Sequence, residues 1–299
     1  MSKICMFGLS GSGKTCYLYA MAQVMSRGVK CGDDMQITAL ANEVYQQQAL
    51  YDGYNMMAID KKWPSPSNST TEFDLNFCFL SKDYKHIPTV SMLLYDYAGG
   101  IWQNPTHEGE DERRLLMENF KDSDALIFIV DSETVKKAML NNPTIPDCLR
   151  AQQQVSLVQN LFNKYKMEYL RMPPVLLCIT KGDLFESKEE NEKAYKYLRD
   201  FLPSIFAIGS NVDAALTTVA LGDNLSNNDS ELSGELTNNL EHNIHIPMLY
   251  ALYAYYDSIY KDCTPGEQKL IIDAILPVLR RLFVEKIKFY INGEYVAID

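Results

Sequence analysis

Short apolar runs recur along the chain, at residues 4–7, 73–80, 91–95, 125–130, 175–179 and 205–208. Runs of that length, bounded by polar and turn residues, suit buried strands better than helices. Helical pattern falls between them over 14–25, 108–120, 151–167 and 188–201, and two more helical stretches, 247–260 and 267–289, close the chain. This alternation predicts an α/β fold, a mostly parallel sheet with helices on both faces. Pro277 is expected to bend or break the last helix, because it removes one hydrogen bond and clashes with the preceding turn.

Two stretches exceed what a minimal α/β domain needs. Residues 28–72 form an insertion, with an Ala/Gln/Tyr-rich helical segment over 38–51 followed by Trp63-Pro64-Ser65-Pro66-Ser67-Asn68. Residues 222–243 are rich in Asn, Ser, Asp and Glu and predict an exposed or disordered polar loop. With no internal repeat and no second core, residues 1–299 read as a single domain carrying these insertions and a C-terminal helical extension at 247–290.

Composition narrows the class. A chain of 299 residues with 46% hydrophobic and 22% charged residues is long enough for a full core. Its net charge of −11 argues against nucleic acid or an anionic membrane as the main partner, since broad phosphate binding needs clustered Lys and Arg. The seven cysteines are widely spaced, an odd count with no Cys-x-x-Cys pair, which suits reduced thiols in a cytoplasmic protein. No leader pattern opens the chain, and no apolar run approaches the roughly 20 residues of a spanning helix.

The strongest motif is Gly8-Leu9-Ser10-Gly11-Ser12-Gly13-Lys14-Thr15, a G-x-x-x-x-G-K-[ST] phosphate loop between a predicted strand and a predicted helix. Glycines let successive backbone N–H groups of Ser10, Gly11, Ser12, Gly13, Lys14, Thr15 and Cys16 turn toward phosphate oxygens, and the helix adds its positive end. Lys14 is the candidate for the β- and γ-phosphates, and the Thr15 hydroxyl for Mg²⁺. The loop alone does not separate ATPase, kinase and GTPase.

Two further strands end in polar residues that complete the pattern. Ser91 to Tyr95 runs into Asp96-Tyr97-Ala98-Gly99-Gly100, where Asp96 can hold Mg²⁺ through water and the Gly99 N–H can meet a γ-phosphate. A plain strand-ending turn is the competing reading of Asp-x-x-Gly taken alone. Val175 to Ile179 leads to Thr180-Lys181-Gly182-Asp183, in which Asp183 can accept guanine N1–H and 2-amino N–H while Lys181 lays its stem over the ring. A fourth element, Ile208-Gly209-Ser210-Asn211, is placed at the end of the sixth strand, where Ser210 could bring a backbone N–H near guanine O6.

These three motifs in order resemble the Ras-like P-loop GTPases of the translation-factor class, and over residues 3–210 the wording is most similar to the prokaryotic double-GTPase-like family. The resemblance implies a G-domain-like fold, GTP/GDP and Mg²⁺ as cofactors, hydrolysis of GTP, and work inside a multi-protein system with a protein partner or activator, defence against phage being one setting. It also implies a threonine before the second strand that closes on Mg²⁺, for which Thr70 and Thr71 are both candidates. Two departures stand out. Gly100 occupies the place of the usual water-orienting glutamine, so slow turnover is expected, and Ser10 stands where several relatives have glycine. Gln103 and His107 are nearby in sequence, and Arg113 and Arg114 are candidates for an internal finger, although a solvated helix face is the plainer reading. The same motifs without turnover would describe a nucleotide-bound interaction module, and setting Asp183 aside would leave a P-loop ATPase or kinase.

Overall fold

The computed structural model describes residues 2–32, 35–65, 69–81, 87, 89–97, 107–140, 159, 163, 172–228, 231–237, 240–264 and 266–298. The expected Gly99 and Gly100 roles, Gln103 and all but two residues of the expected helix over 151–167 lie outside them. The strands are β1 (Ser2–Phe7), β2 (Val29–Lys30), β3 (Met35–Ala41), β4 (Thr71–Ser81), β5 (Val90–Asp96), β6 (Ala125–Asp131), β7 (Val175–Thr180), β8 (Asp213–Thr218), β9 (Gly222–Asn228), β10 (Glu231–Leu236), β11 (Lys288–Ile291) and β12 (Glu294–Val296). The helices are α1 (Lys14–Ser26), α2 (Val44–Ala58), α3 (His107–Lys121), α4 (Ser132–Ala138), α5 (Lys188–Phe201), α6 (Pro203–Phe206), α7 (Ile246–Asp262) and α8 (Glu267–Phe283).

Among the described residues one ten-stranded sheet runs in the order β12-β11-β8-β7-β6-β1-β5-β4-β3-β2. Its centre, from β5 through β1, β6 and β7 to β8, is parallel. Both flanks are antiparallel. The switch at β4 follows from chain length, since Ser81 and Val90 are too close in sequence for the dozen or more residues of a parallel crossover.

Alternation along the central strands builds two cores. Ile4 and Met6, Ala125, Ile127 and Ile129, and Leu176 and Cys178 face one side, where α1, α2, α7 and α8 pack. Cys5 and Phe7, Leu126, Phe128 and Val130, and Leu177 and Ile179 face the other, under α3, α5 and α6. Burial on both faces is why these strands read as unbroken apolar runs. Met248, Tyr250 and Tyr256 of α7 belong to the first core, and the Tyr250 hydroxyl donates to the Val175 carbonyl at 3.2 Å. Among the described residues no helix is long and apolar enough to cross a membrane.

Several sequence expectations are corrected. Residues 38–41 continue β3 rather than starting a helix, which begins at Val44. Residues 222–243 hold the antiparallel pair β9–β10 instead of forming a disordered loop, with Leu232 buried in the first core. The run at 205–208 is no strand: Pro203 opens the short α6, because proline at the first helical turn costs no hydrogen bond, and β8 stands in place of the sixth expected strand. The last helix ends at Phe283, and residues 288–291 pair antiparallel with β8. Pro277 sits inside α8 without interrupting it, exposed like Asp273 four residues earlier.

Candidate functional site

Because β1, β5, β6, β7 and β8 are parallel, Phe7, Asp96, Asp131, Thr180 and Thr218 all end at one edge of the sheet. The phosphate loop crosses this edge between β1 and α1. Gly11 and Gly13 hold φ of 78° and 85°, left-handed values that glycine adopts without strain. A Cβ on Gly8 would lie 2.6 Å from the Ser12 hydroxyl and 2.7 Å from the Ile129 carbonyl, so the loop is seated hard against β6. Ser10 and Gly11 are exposed at its crest, while Ser12 is buried with a hydroxyl that has no hydrogen-bond partner.

Lys14 lies under the loop, 6% exposed, and its ammonium donates to the Gly8 carbonyl at 2.8 Å and the Leu9 carbonyl at 3.3 Å. Burial lowers its pKa, and the nearby Asp96 carboxylate opposes that shift. Cys16 is half-buried on the first turn of α1, its thiol pushed up to about 12 by burial, which makes it a poor nucleophile.

Thr15 and Asp96 meet across β1. The Thr15 hydroxyl donates to Asp96 Oδ2 at 3.5 Å, and Asp96 Oδ1 is buried with no hydrogen-bond partner. Such an orphaned buried oxygen costs free energy unless a cation or donor reaches it, so the pair fits a hard cation such as Mg²⁺. Thr71 opens β4 directly opposite Asp96 in the strand register, with Thr70 immediately before it. Both candidate threonines thus reach the Asp96 end of β5. Tyr97, next in the chain, is pinned below the sheet edge: its ring stacks on Phe7 at 5.0 Å, and its hydroxyl accepts from Asn119 Nδ2 at 2.9 Å.

Burial raises Asp96 from an ordinary 3.8 to about 6, against the pull of Lys14 and Thr15. A carboxyl raised in the folded state stabilises the fold fully below its unfolded pKa and loses that contribution as pH rises through its folded value. Two pKa units correspond to about 3 kcal/mol. Without nucleotide or metal, the melting temperature of Asp96→Asn relative to wild type is expected to rise between pH 4 and pH 7; a difference independent of pH would remove the assignment.

The residues that end β7 begin beside the loop. The Thr180 hydroxyl donates to the Ser12 carbonyl at 2.7 Å and lies 3.2 Å from the Val130 carbonyl, stitching the end of β7 to the phosphate loop. Lys181 adopts a left-handed φ of 55°, and its ammonium lies 3.1 Å from Asp131 Oδ1 and 3.4 Å from Glu133 Oε2. Asp131 is buried, caps α4 and receives the Thr134 hydroxyl at 2.9 Å. Neither acidic group stood out in the sequence, because both read as ordinary residues at a strand-to-helix turn. Asp183 lies in a short 3-10 helix, Gly182–Leu184, half-buried, with its pKa raised by burial.

Ser210 is not brought to this edge. It precedes β8, its backbone N–H bonded to the Ala207 carbonyl at 2.9 Å, and so lies at the opposite end of the parallel strands. The residues that leave β8 on the site edge are Val219 and Ala220; the Val219 N–H donates to the Ile179 carbonyl at 2.8 Å and its carbonyl accepts from Gly182 N–H at 2.9 Å. The sequence signal for them was the run Ala214 to Thr218, weaker than the apolar run at 205–208. Arg114, a candidate finger, is exposed on α3 and pairs with Asp111 at 3.1 Å. The side chains of His107 and Arg113 are outside the described set.

No family model matches the sequence, and no curated protein matches it. Solved structures do match, among them that of the mammalian SRP receptor, at 16% identity over 66% of this chain and 73% of that one, with a TM-score of 0.33.

Proposed function

We propose that this chain binds GTP and GDP with Mg²⁺ and hydrolyses GTP slowly as a switch read by a protein partner. The observation that supports the reading is the Thr180–Ser12 hydrogen bond, which ties the end of β7, where Thr180-Lys181-Gly182-Asp183 begins, to the phosphate loop across 168 positions of sequence. Adenine offers no pair of donors to a carboxylate in the place of Asp183, whereas guanine offers two.

Lys14 would leave the Gly8 and Leu9 carbonyls to meet the β- and γ-phosphates, exchanging neutral acceptors for charged ones. The loop amides, preset by Gly11 and Gly13, would hold the same oxygens without reorganising. Thr15, Asp96 and either Thr70 or Thr71 would hold Mg²⁺, which supplies charge neutralisation on the transferring phosphoryl group when bound. Lys181, tethered by Asp131 and Glu133, would present its stem beside the base.

The test is the nucleotide that copurifies with the protein in Mg²⁺, followed by single-turnover phosphate release. Guanine nucleotide and a release rate above that of Lys14→Ala are the expected results; adenine nucleotide would overturn the base assignment. Gly100, in the place of a water-orienting glutamine, favours a second reading, a nucleotide-bound interaction module. Release no faster than in Lys14→Ala would select it.

A further inference from the structure

We propose that α4 is the positioning element of the base site: Ser132 and Lys136 hold the turn that carries Asp183 in the form that discriminates guanine from adenine. The proposal rests on the guanine reading above and extends it to a helix that none of the motifs includes.

Asp183 lies in the turn Gly182–Leu184, and α4 takes a backbone carbonyl on each side of it. The Ser132 hydroxyl donates to the carbonyl of Lys181, the residue before the turn, at 2.6 Å. The Lys136 ammonium donates to the carbonyl of Leu184, the last residue of the turn, at 2.8 Å. Residues four apart share one helix face, so a single face of α4 grips the chain before and after Asp183. Lys136 also reaches Glu186 Oε1 and Glu190 Oε1, each at 3.2 Å, and Glu190 belongs to the first turn of α5. The segment leaving the turn is therefore tied to the same lysine.

The opposite side of the turn rests on β8. The Gly182 N–H donates to the Val219 carbonyl at 2.9 Å, and a Cβ on Gly182 would lie 2.5 Å from Thr218 Cγ2. Asp183 is thus carried on a turn wedged between α4 and the end of β8. Lys181 enters that turn at a left-handed φ of 55°, a conformation unfavourable for any residue but glycine, and the Ser132 bond to its carbonyl opposes relaxation.

A seven-residue helix is marginal by itself, yet α4 is anchored from beneath. Asp131 accepts from the Glu133 N–H at 3.2 Å and from the Thr134 hydroxyl at 2.9 Å, and Val135 is buried in the second core. Ser132 is itself fully buried. The support is fixed before any ligand arrives, which lowers the ordering cost of placing a carboxylate against a base. A ligand without a base gains nothing from it.

The experiment measures GDP, ADP and inorganic pyrophosphate by calorimetry on wild type, Ser132→Ala and Lys136→Met, and GDP on Asp183→Ala with and without Lys136→Met. Methionine keeps the stem and removes the donors. Each of the first two variants is expected to weaken GDP about fivefold and to lower the preference for GDP over ADP by the same factor. Pyrophosphate and ADP should stay within about twofold, since neither change touches the phosphate loop. Pyrophosphate also reports any effect of removing the Lys136 charge, which Ser132→Ala leaves in place. In the Asp183→Ala background Lys136→Met should leave GDP affinity within about twofold, because no carboxylate remains to be positioned. An unchanged GDP-to-ADP preference in Lys136→Met overturns the proposal, as does an equal loss of pyrophosphate or the same fivefold loss without Asp183. Should the buried Ser132→Ala fail to fold, Lys136→Met decides alone, since that side chain is 28% exposed. Wild-type protein that does not prefer GDP to ADP overturns the guanine reading and this proposal with it; a wild-type preference that Lys136→Met does not move overturns only the proposal.

Discussion

Lys14→Ala is expected to lower GDP and GTP affinity at least about a hundredfold while moving the melting temperature by only a few degrees. The two effects separate because the ammonium does different things in the two states. In the nucleotide-free fold it is buried and donates to the Gly8 and Leu9 carbonyls, and burial lowers its pKa, so part of what those bonds contribute is cancelled by desolvation. Against a polyphosphate the same ammonium meets full negative charge, so attraction between opposite charges is added to the hydrogen bonds. Calorimetric titration beside thermal melting checks both halves. Affinity within about threefold of wild type would show that phosphates are not bound at this loop.

Asp183→Asn is expected to invert base preference, with GDP affinity falling about a hundredfold and XDP affinity rising to match or exceed it. An amide in place of the carboxylate turns one acceptor into a donor and leaves a guanine N–H facing another N–H; xanthine, with a carbonyl at that ring position, restores the pairing. Competition among GDP, ADP and XDP on the variant gives the answer. Unchanged order would sink the base-reading role of Asp183.

Legibility in the sequence followed signal strength. The centre of the sheet was readable because residues such as Ile4 to Phe7, Ala125 to Val130 and Val175 to Ile179 are buried on both faces, which admits few polar residues. The polar residues at the ends of β5 and β7 were readable because Asp96 and Thr180 each follow an apolar run and open a short motif, Asp-x-x-Gly and Thr-Lys-x-Asp, in order after the phosphate loop. β8 was missed because Ala214, Ala215 and Thr217 carry little hydrophobic signal, whereas Ile205 and Phe206 carry much, yet point from a helical turn opened by Pro203. That error displaced the fourth motif to Ser210. The hairpin was hidden because backbone hydrogen bonds and Lys61 to Trp63 hold it, contacts with no hydrophobic period to read.

The Thr180 hydroxyl on the Ser12 carbonyl has a consequence for affinity as a whole. It ties the proposed phosphate-reading and base-reading ends together, so the proposed ligand would engage at two ends whose spacing is held by the protein. Once one end docks, the other meets its site at high effective concentration rather than at its bulk value. Guanosine alone and pyrophosphate alone would each be held loosely, while the molecule that joins them would be held far more tightly than either. Thr180→Val, which removes the stitch and neither contact surface, would reduce that surplus.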